Sequence, residues 1–559
     1  MKRFIYIIVT SLILVSCTNE LGVEFETEIP ISLNDDLNLT DGVIIGEKLR
    51  NPYSLEVMKQ ACDMLYPPTR GEAPVSDSLI VPNVKYVRFL PTDSIEYRTL
   101  SASKLELFNY PLDYDILGDP SDYHDPNLPP EQITWQYTVM PIDDPLPIVK
   151  SEVLELAYIP TSNNVDGLYD MEAIENTAIK LGLGNNLTLL DKDRRPSVLP
   201  IIGESVPYIG KIQLCDSGNT NAKGVKGVKI RARHFFKIRT DFTDEQGRYF
   251  IDMDEFPNCT PRLELRFENE YGFKLGYNVE LIMPQTFNMK DTHSFTFKDS
   301  DSGKNYKAWV LGTINNAAYD WYKRCETEGM PTPPSNLYIW AMEIAGGAAC
   351  PMLHHGTFNT SGLSLATLAT FLFGPDFGFV TNVWLSILFN TIAPDVFVFG
   401  VDNASTNALY RLTCHELAHA THFQQVGEDV LDRALWWADV INYEVACGVL
   451  NGGGSPYEHS SLEKEGKVGV TEMWAHAVGY ICGCEHLGSQ VSSYPNTNKY
   501  WFAPEIIVEL YKKGMSLSQI SKSMTGEIVM LNDFQKQLTI NNAAYEVDIN
   551  KLFNKYLYD

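Results

Sequence analysis

The chain has 559 residues, 44% of them hydrophobic and 21% charged, the proportions of a globular protein with a sizeable core. That length leaves room for about three domains of ~100–200 residues each. A net charge of −27 excludes ordinary nucleic-acid binding, because neutralising phosphates takes Lys and Arg in excess, and an acidic surface otherwise serves solubility.

At the N-terminus Met1-Lys2-Arg3 is basic, Phe4 to Val15 is an almost unbroken apolar run, and Ser16 is small. The run is short for a membrane-spanning helix and has the pattern of a secretory signal. Its end, Leu14-Val15-Ser16-Cys17, resembles a bacterial lipobox. The resemblance implies cleavage before Cys17 and lipid attachment to it, so that the mature protein is tethered to the membrane rather than spanning it. Thr18 and the acidic Glu20, Glu24, Glu26 and Glu28 resemble the sorting region of outer-membrane lipoproteins, which implies that address and, as an option, surface display. The plain alternative is ordinary secretion. Without Cys17 nine of the ten cysteines remain, too few in this length for a disulfide-dense scaffold.

The expected layout is a signal peptide over 1–17, an acidic spacer and mixed α/β region over 18–199, an all-β sandwich over 200–300, and a mostly helical α+β domain over 305–559. In the mixed region Val84–Leu90 and Ile133–Met140 alternate like strands and Met171–Leu181 is a short helix, while Asp113–Pro130 is a loop rich in Asp, Pro and Tyr. Asp113, Asp115, Asp119 and Asp122 lack the spacing of a calcium loop and are expected to be solvated. Further on, Val228, Ile230 and Ala232 alternate onto one strand face, and Asp244-Glu-Gln-Gly247 makes a hairpin turn. This stretch resembles the transthyretin-like, carboxypeptidase regulatory-type sandwich of exported bacterial proteins, which implies a spacer or binding surface without active-site residues.

The last part opens with a helix over Tyr306–Glu328 and a strand over Asn336–Met342. Ser364–Phe373 and Val380–Ile392 are very apolar but separated by Gly374-Pro375-Asp376, so each is core rather than a membrane span. Pro394–Gly400 is a short strand leading into a helix between Ala404 and Val426, with Asp402, Asn403, Ser405 and Thr406 as N-cap candidates and Gly427 as its stop. Val430–Leu450 is another helix, Asn451–Pro456 a flexible loop, and Pro504–Lys512, Ser516–Met524 and Ile549–Leu557 a helical cap.

The helix after Pro394–Gly400 carries His415-Glu416-Leu417-Ala418-His419, an H-E-x-x-H sequence. Residues four apart share a helix face, so the two imidazoles can grip one ion while Glu416 projects beside them as a base. Catalytic zinc takes three protein ligands and a water, and Glu444 and Glu472 compete for the third place. His422 lies roughly 4–5 Å further along the axis than His419, beyond easy reach of such an ion. Cys482 and Cys484 diverge by about 200° around a helix and do not share a metal, and Cys414 is a small buried residue.

A strand leading into an H-E-x-x-H helix resembles the zincin metallopeptidases. Val470-Thr-Glu-Met-Trp-Ala-His-Ala-Val-Gly-Tyr480 resembles the glutamate-bearing helix of gluzincins, which favours Glu472 as the third ligand, with Trp474 and Ala475 packing that helix. The metzincin pattern fails, since His422 stands at its Gly position and Gln425 at its later His. His476 replaces the acidic residue that many gluzincins use to orient a ligand histidine. His476 and Tyr480, with Tyr457 and His459 behind them, are candidate donors to a developing oxyanion. The resemblance implies a lipid-anchored metallopeptidase with one Zn2+ on His415, His419 and Glu472 and Glu416 as general base. Protein or peptide substrates would align on Pro394–Gly400 by edge pairing. The rival is a cell-surface binding or adhesion lipoprotein with a structural or degenerate zincin domain; a third option keeps the metal but acts on another bond.

Overall fold

A computed structural model describes residues 44–68, 71, 73–117, 123–129, 132–160, 169–183, 208–216, 221–251, 261–278, 286–289, 294–343, 347–357, 361, 393–445, 463–495 and 501–558. The signal segment with Cys17, the spacer up to residue 43, Asp119 and Asp122, the apolar segments 364–373 and 380–392, the loop 451–456, and Tyr457 and His459 lie outside the described residues. The chain is multidomain, a sheet-rich part followed by a helical one. Of the described residues, one compact unit takes those from 44 to 270 together with 286–289 and 294–298, and the other takes 271–278 and those from 299 to 558.

The sheet-rich unit begins with β1 (Ile44–Lys48), α1 (Leu55–Leu65), α2 (Val75–Leu79), β2 (Val84–Phe89), α3 (Ser94–Ala102) and β3 (Tyr114–Leu117). β4 (Gln136–Pro141), β5 (Ser151–Ala157) and α4 (Met171–Leu183) follow. Next come β6 (Tyr208–Cys215), β7 (Lys223–Gly224), β8 (Val228–His234), β9 (Lys237–Phe242), β10 (Arg248–Ile251) and β11 (Arg262–Asn269). After β12 (Lys274–Tyr277), which belongs to the helical unit, β13 (Thr286–Asn288) and β14 (Ser294–Lys298) return to this one. β2 and β4 are the strands that their alternation predicts, and β2 pairs antiparallel with both β4 and β5. The loop expected from Asp113 is partly strand instead. β3 pairs antiparallel with β1, and Asp113 is buried with its carboxylate 3.2 Å from Lys48 Nζ rather than solvated.

β8 shows what its alternation leaves out. Val228, Ile230 and Ala232 are buried on one face as expected, yet Lys229, Arg231 and Arg233 on the other are buried as well. Arg231 donates from Nε and Nη2 to Glu264 Oε2 at 2.9 and 2.6 Å, and Tyr110 donates to Glu264 Oε1 at 2.7 Å. Lys229 donates to Glu106 and Glu268, Arg233 to the Leu112 carbonyl, and Lys237 to Glu175. Residues on both sides of position 200 therefore belong to one compact unit. The expected turn at Asp244–Gly247 is present, with Gly247 N donating to Asp244 O at 2.8 Å and Gly247 at φ 78°. A second bond, from Asp244 N to Arg248 O at 2.8 Å, closes the hairpin turn, beyond which the strands part: β9 pairs with β8, whereas β10 pairs with β6.

In the helical unit β12 is followed by α5 (Gly303–Glu328), β15 (Tyr338–Ala341), β16 (Ala348–Ala349) and β17 (Val396–Val398). The helices α6 (Thr406–Phe423), α7 (Val430–Val445) and α8 (Glu463–His486) follow, then α9 (Glu505–Lys512), α10 (Leu517–Ser521), α11 (Leu531–Asn541) and α12 (Glu546–Phe553). β12, β15 and β17 run parallel, and β16 lies antiparallel on the outer side of β17. The strand expected at Pro394–Gly400 thus exists, but it is internal, and the edge pairing expected of it is not open to it. α6 is capped by the Ser405 hydroxyl, which accepts from Ala408 N at 3.2 Å. The helix stops at Phe423, before Gly427. Gly427 serves close approach instead, since a Cβ there would lie 2.6 Å from the Arg433 backbone nitrogen.

Candidate metal centre

From Leu412 to Phe423 every residue of α6 is buried. Trp474 on α8 donates from Nε1 to the Ala418 carbonyl at 3.1 Å, and Trp321 on α5 donates to Thr421 Oγ1 at 3.0 Å. Gly479 lets α8 come close, because a Cβ there would meet the Arg411 carbonyl oxygen at 2.9 Å and His415 Cβ at 3.1 Å. This approach, together with the single-face spacing of His415 and His419, brings the α8 carboxylate to the two imidazoles.

The ligand atoms of His415, His419 and Glu472 all lie within 4.8 Å of one another, and this buried group can hold a metal ion. His415 Nε2 and His419 Nε2 are 3.2 Å apart, His419 Nε2 and Glu472 Oε1 3.3 Å, and His415 Nε2 and Glu472 Oε2 3.6 Å. Burial pushes His415 down to about 4 against the pull of Glu472, which leaves a neutral ring with a lone pair to offer at neutral pH. Burial alone would raise the Glu472 carboxyl, but His419 and His415 outweigh it and hold the group well below the usual carboxylate range. Glu416 Oε1 is 3.8 Å from His415 Nε2, beside the cluster rather than in it.

Glu444, the competing carboxylate, is not in the group. Burial, and secondarily the charge of Glu472, raises its carboxyl well above the ordinary range. His422 is also outside it: its ring sits edge-on to Trp436 and Trp437 at 5.4 and 6.0 Å, and burial pushes it down to about 3. Tyr480 lies about 12 Å along α8 from Glu472. Its hydroxyl contacts Ser492 Oγ at 2.5 Å and donates to Ser493 O at 3.1 Å, so it packs the chain after α8 instead of serving an oxyanion. His476 adjoins the cluster. Nε2 is 3.5 Å from Glu472 Oε2, Nδ1 is 3.1 Å from the Tyr494 hydroxyl, and the ring is edge-on to His415 at 4.7 Å. Tyr494 carries no motif and escapes a reading of the sequence. Among the described residues the cysteines are free thiols; Cys414 is buried against Cys482, and neither joins the metal group.

No protein-family model matches this chain, and no curated protein or solved structure does.

Proposed function

We propose that the helical unit is a zinc-dependent peptidase carried on a lipid-anchored, exported protein. The observation that carries this reading is the close buried set of ligand atoms, two imidazole Nε2 atoms 3.2 Å apart with Glu472 Oε1 3.3 Å from His419 and Oε2 3.6 Å from His415. Zinc bound tetrahedrally at ~2.0–2.1 Å asks for ligand edges of about 3.3–3.4 Å, so two imidazoles and a carboxylate at these separations suit it in both geometry and donor type. A bound zinc ion supplies Lewis acidity, acidifying a water molecule and polarising a carbonyl. Glu416 takes the proton from the attacking water and returns it to the leaving amine, a double duty that suits a carboxylate held beside the ligands but outside their set. Glu472 brings the negative charge that offsets part of the cation's. The Leu14–Cys17 sequence supports a tether at the bacterial outer membrane.

A second reading is favoured by one observation, the closure of the site. His415 and Glu416 are 0% exposed, Glu472 1% and His419 4%. Structural zinc sites are closed, whereas catalytic ones keep an open position, so a binding protein with a structural ion also fits. The deciding experiment combines metal analysis with cleavage of casein and a peptide library, using the wild-type chain and Glu416→Gln. The peptidase reading expects one zinc per chain in both proteins and a rate lower by ~10²–10⁴ in the variant. Bound zinc with no cleavage by the wild-type chain sinks the peptidase and leaves the structural ion.

A further inference from the structure

β8 and β11 pair antiparallel and carry charged side chains on one shared face, two to a rung: Lys229 opposite Arg266, Arg231 opposite Glu264, and Arg233 opposite Arg262. The first and third rungs set cation against cation, which repels unless an anion joins the two. The first rung has one. Glu268 accepts from Lys229 Nζ on one oxygen and from Arg266 Nε on the other, each at 3.1 Å. The middle rung is itself an ion pair, Arg231 with Glu264. In the third, neither Arg233 nor Arg262 forms an ion pair among the described residues. Arg233 is 7% exposed; its Nη1 donates to the Leu112 and Phe235 carbonyls at 3.1 Å, but its Nε is buried without a partner. Arg262 is half-buried, and its Nε too is buried without a partner. Glu264 does not serve them. Both of its oxygens are engaged, Oε2 by Arg231 and Oε1 by Tyr110.

We propose that the Arg233–Arg262 rung is a binding site for an oxyanion, the carboxylate or phosphate group of a ligand, held between the two guanidinium groups as Glu268 is held between Lys229 and Arg266. A guanidinium offers its N–H groups in a planar fork, which suits two oxygens at once. Arg233 forms the fixed wall, anchored by its two carbonyl acceptors and set over the Phe108 and Tyr110 rings, each 5.5 Å from its central carbon. Those rings keep water away and strengthen the attraction for an anion. Arg262, the more exposed of the pair, stands on the side from which a ligand enters. With a net charge of −27 the chain repels anions in general, so capture of one reports a local cluster of cations. The site lies in the sheet-rich unit and uses no metal, so it is independent of the peptidase reading.

The test titrates the metal-free full chain with inorganic phosphate and with succinate, by calorimetry at constant ionic strength with chloride as the balancing anion. The wild-type chain should bind one equivalent of at least one probe with a Kd of ~1 mM or tighter. Arg262→Gln removes charge and fork together and should weaken that binding ~10–100-fold. Arg262→Lys keeps the charge without the fork and should fall between the two. Without a probe, Arg262→Gln should melt at or above the wild-type midpoint, because it relieves a like-charge pair, whereas loss of a purely structural arginine would lower it. The better probe at saturation should raise the wild-type midpoint and leave that of Arg262→Gln in place. Binding of phosphate alone assigns the site to a phosphate-bearing ligand, and binding of succinate alone to a carboxylate. The site is overturned if the wild-type chain binds neither probe at ~10 mM, or if Arg262→Gln binds as the wild-type chain does. A probe-free Arg262→Gln that melts well below the wild-type chain, or does not fold, overturns it as well.

Discussion

Glu444 and Glu472 are both buried glutamates of the helical unit, and their surroundings drive them in opposite directions. Glu472 is flanked by two imidazoles that favour its charge, whereas burial keeps the Glu444 carboxyl protonated. Glu444→Gln therefore exchanges one neutral group for another of the same shape, and zinc affinity should stay within about twofold. Glu472→Gln removes the anionic ligand and should cost more than the ~10–100-fold typical of a residue that only supports a ligand, read by competition with a chromogenic chelator. Sequence spacing allows either residue, since nothing in the 24 or 52 positions between His419 and each says which returns to the histidines. The resemblance around Trp474 favoured Glu472, and the ligand distances agree with it. Arg231 and Glu264 were less legible. On β8 the charges alternate with apolar residues and look solvent-facing, and only partners 33 residues further on and in the segment near Glu106 reveal that they are buried. Burial would raise Glu264, but Arg231, Arg262 and Arg233 hold it at about 2 against an ordinary 4.5. Its folded value is the lower one, so its contribution to stability is complete above pH ~4.5 and fades as pH falls towards ~2. Glu264→Gln should cost about 3–5 kcal/mol at neutral pH by leaving buried Arg231 only the more distant Glu106 as counter-charge, and chemical denaturation at pH 7 and pH 3 should show the difference narrowing in acid.

At the scale of elements, helical periodicity predicts which face of α6 carries the histidines but not how near α8 comes. That distance is set at Gly479. Its replacement by alanine should gain up to ~1 kcal/mol of helix propensity. The new methyl group, however, has the Arg411 carbonyl oxygen 2.9 Å away and His415 Cβ 3.1 Å away, and neither is the flexible end of a side chain. The helices must part, at a cost of about 1–3 kcal/mol. Gly479→Ala is thus expected to lower the thermal midpoint and, because the ligands sit on the two helices that separate, to weaken zinc binding as well. A midpoint at or above that of the wild-type chain would show that the contact is not tight. β17 marks the complementary limit. Its residues, Val396-Phe-Val398, identify a strand, but not whether it is an edge, because that depends on β16, nearly fifty residues earlier. The turn at Asp244–Gly247 is a similar case: its residues predict the bend, while the sheets that β9 and β10 join are chosen by β8 and β6.

For the whole molecule, two compact units with different chemistry at their centres should respond to different perturbations. The sheet-rich unit holds buried ion pairs, among them Arg231–Glu264 and Lys237–Glu175, next to an aromatic cluster of Tyr53, Tyr86, Phe108 and Tyr110. The helical unit encloses Trp309, Trp321, Trp437 and Trp474, and its only metal-ligating cluster among the described residues lies between α6 and α8. A ligand that binds the folded form alone stabilises by RT ln(1 + [L]/Kd), about 4.1 kcal/mol at 1,000 times Kd. For a unit of some 250 residues that corresponds to roughly 8–16 °C in midpoint. Scanning calorimetry of the chain should accordingly resolve two transitions. Saturating zinc should raise one by that amount and a chelator should return it, while acidification from pH 7 to pH 3 in zinc-free conditions should lower both, the sheet-rich one through Glu264 and the helical one through the buried neutral His415 and His422, which must charge. Glu264→Gln should lower the sheet-rich transition at pH 7 and leave the zinc-sensitive one in place, and Glu472→Gln should abolish the zinc shift without moving the sheet-rich one. A single transition that both treatments displace equally would show that the two units unfold as one, and then neither variant could be assigned to a unit by calorimetry.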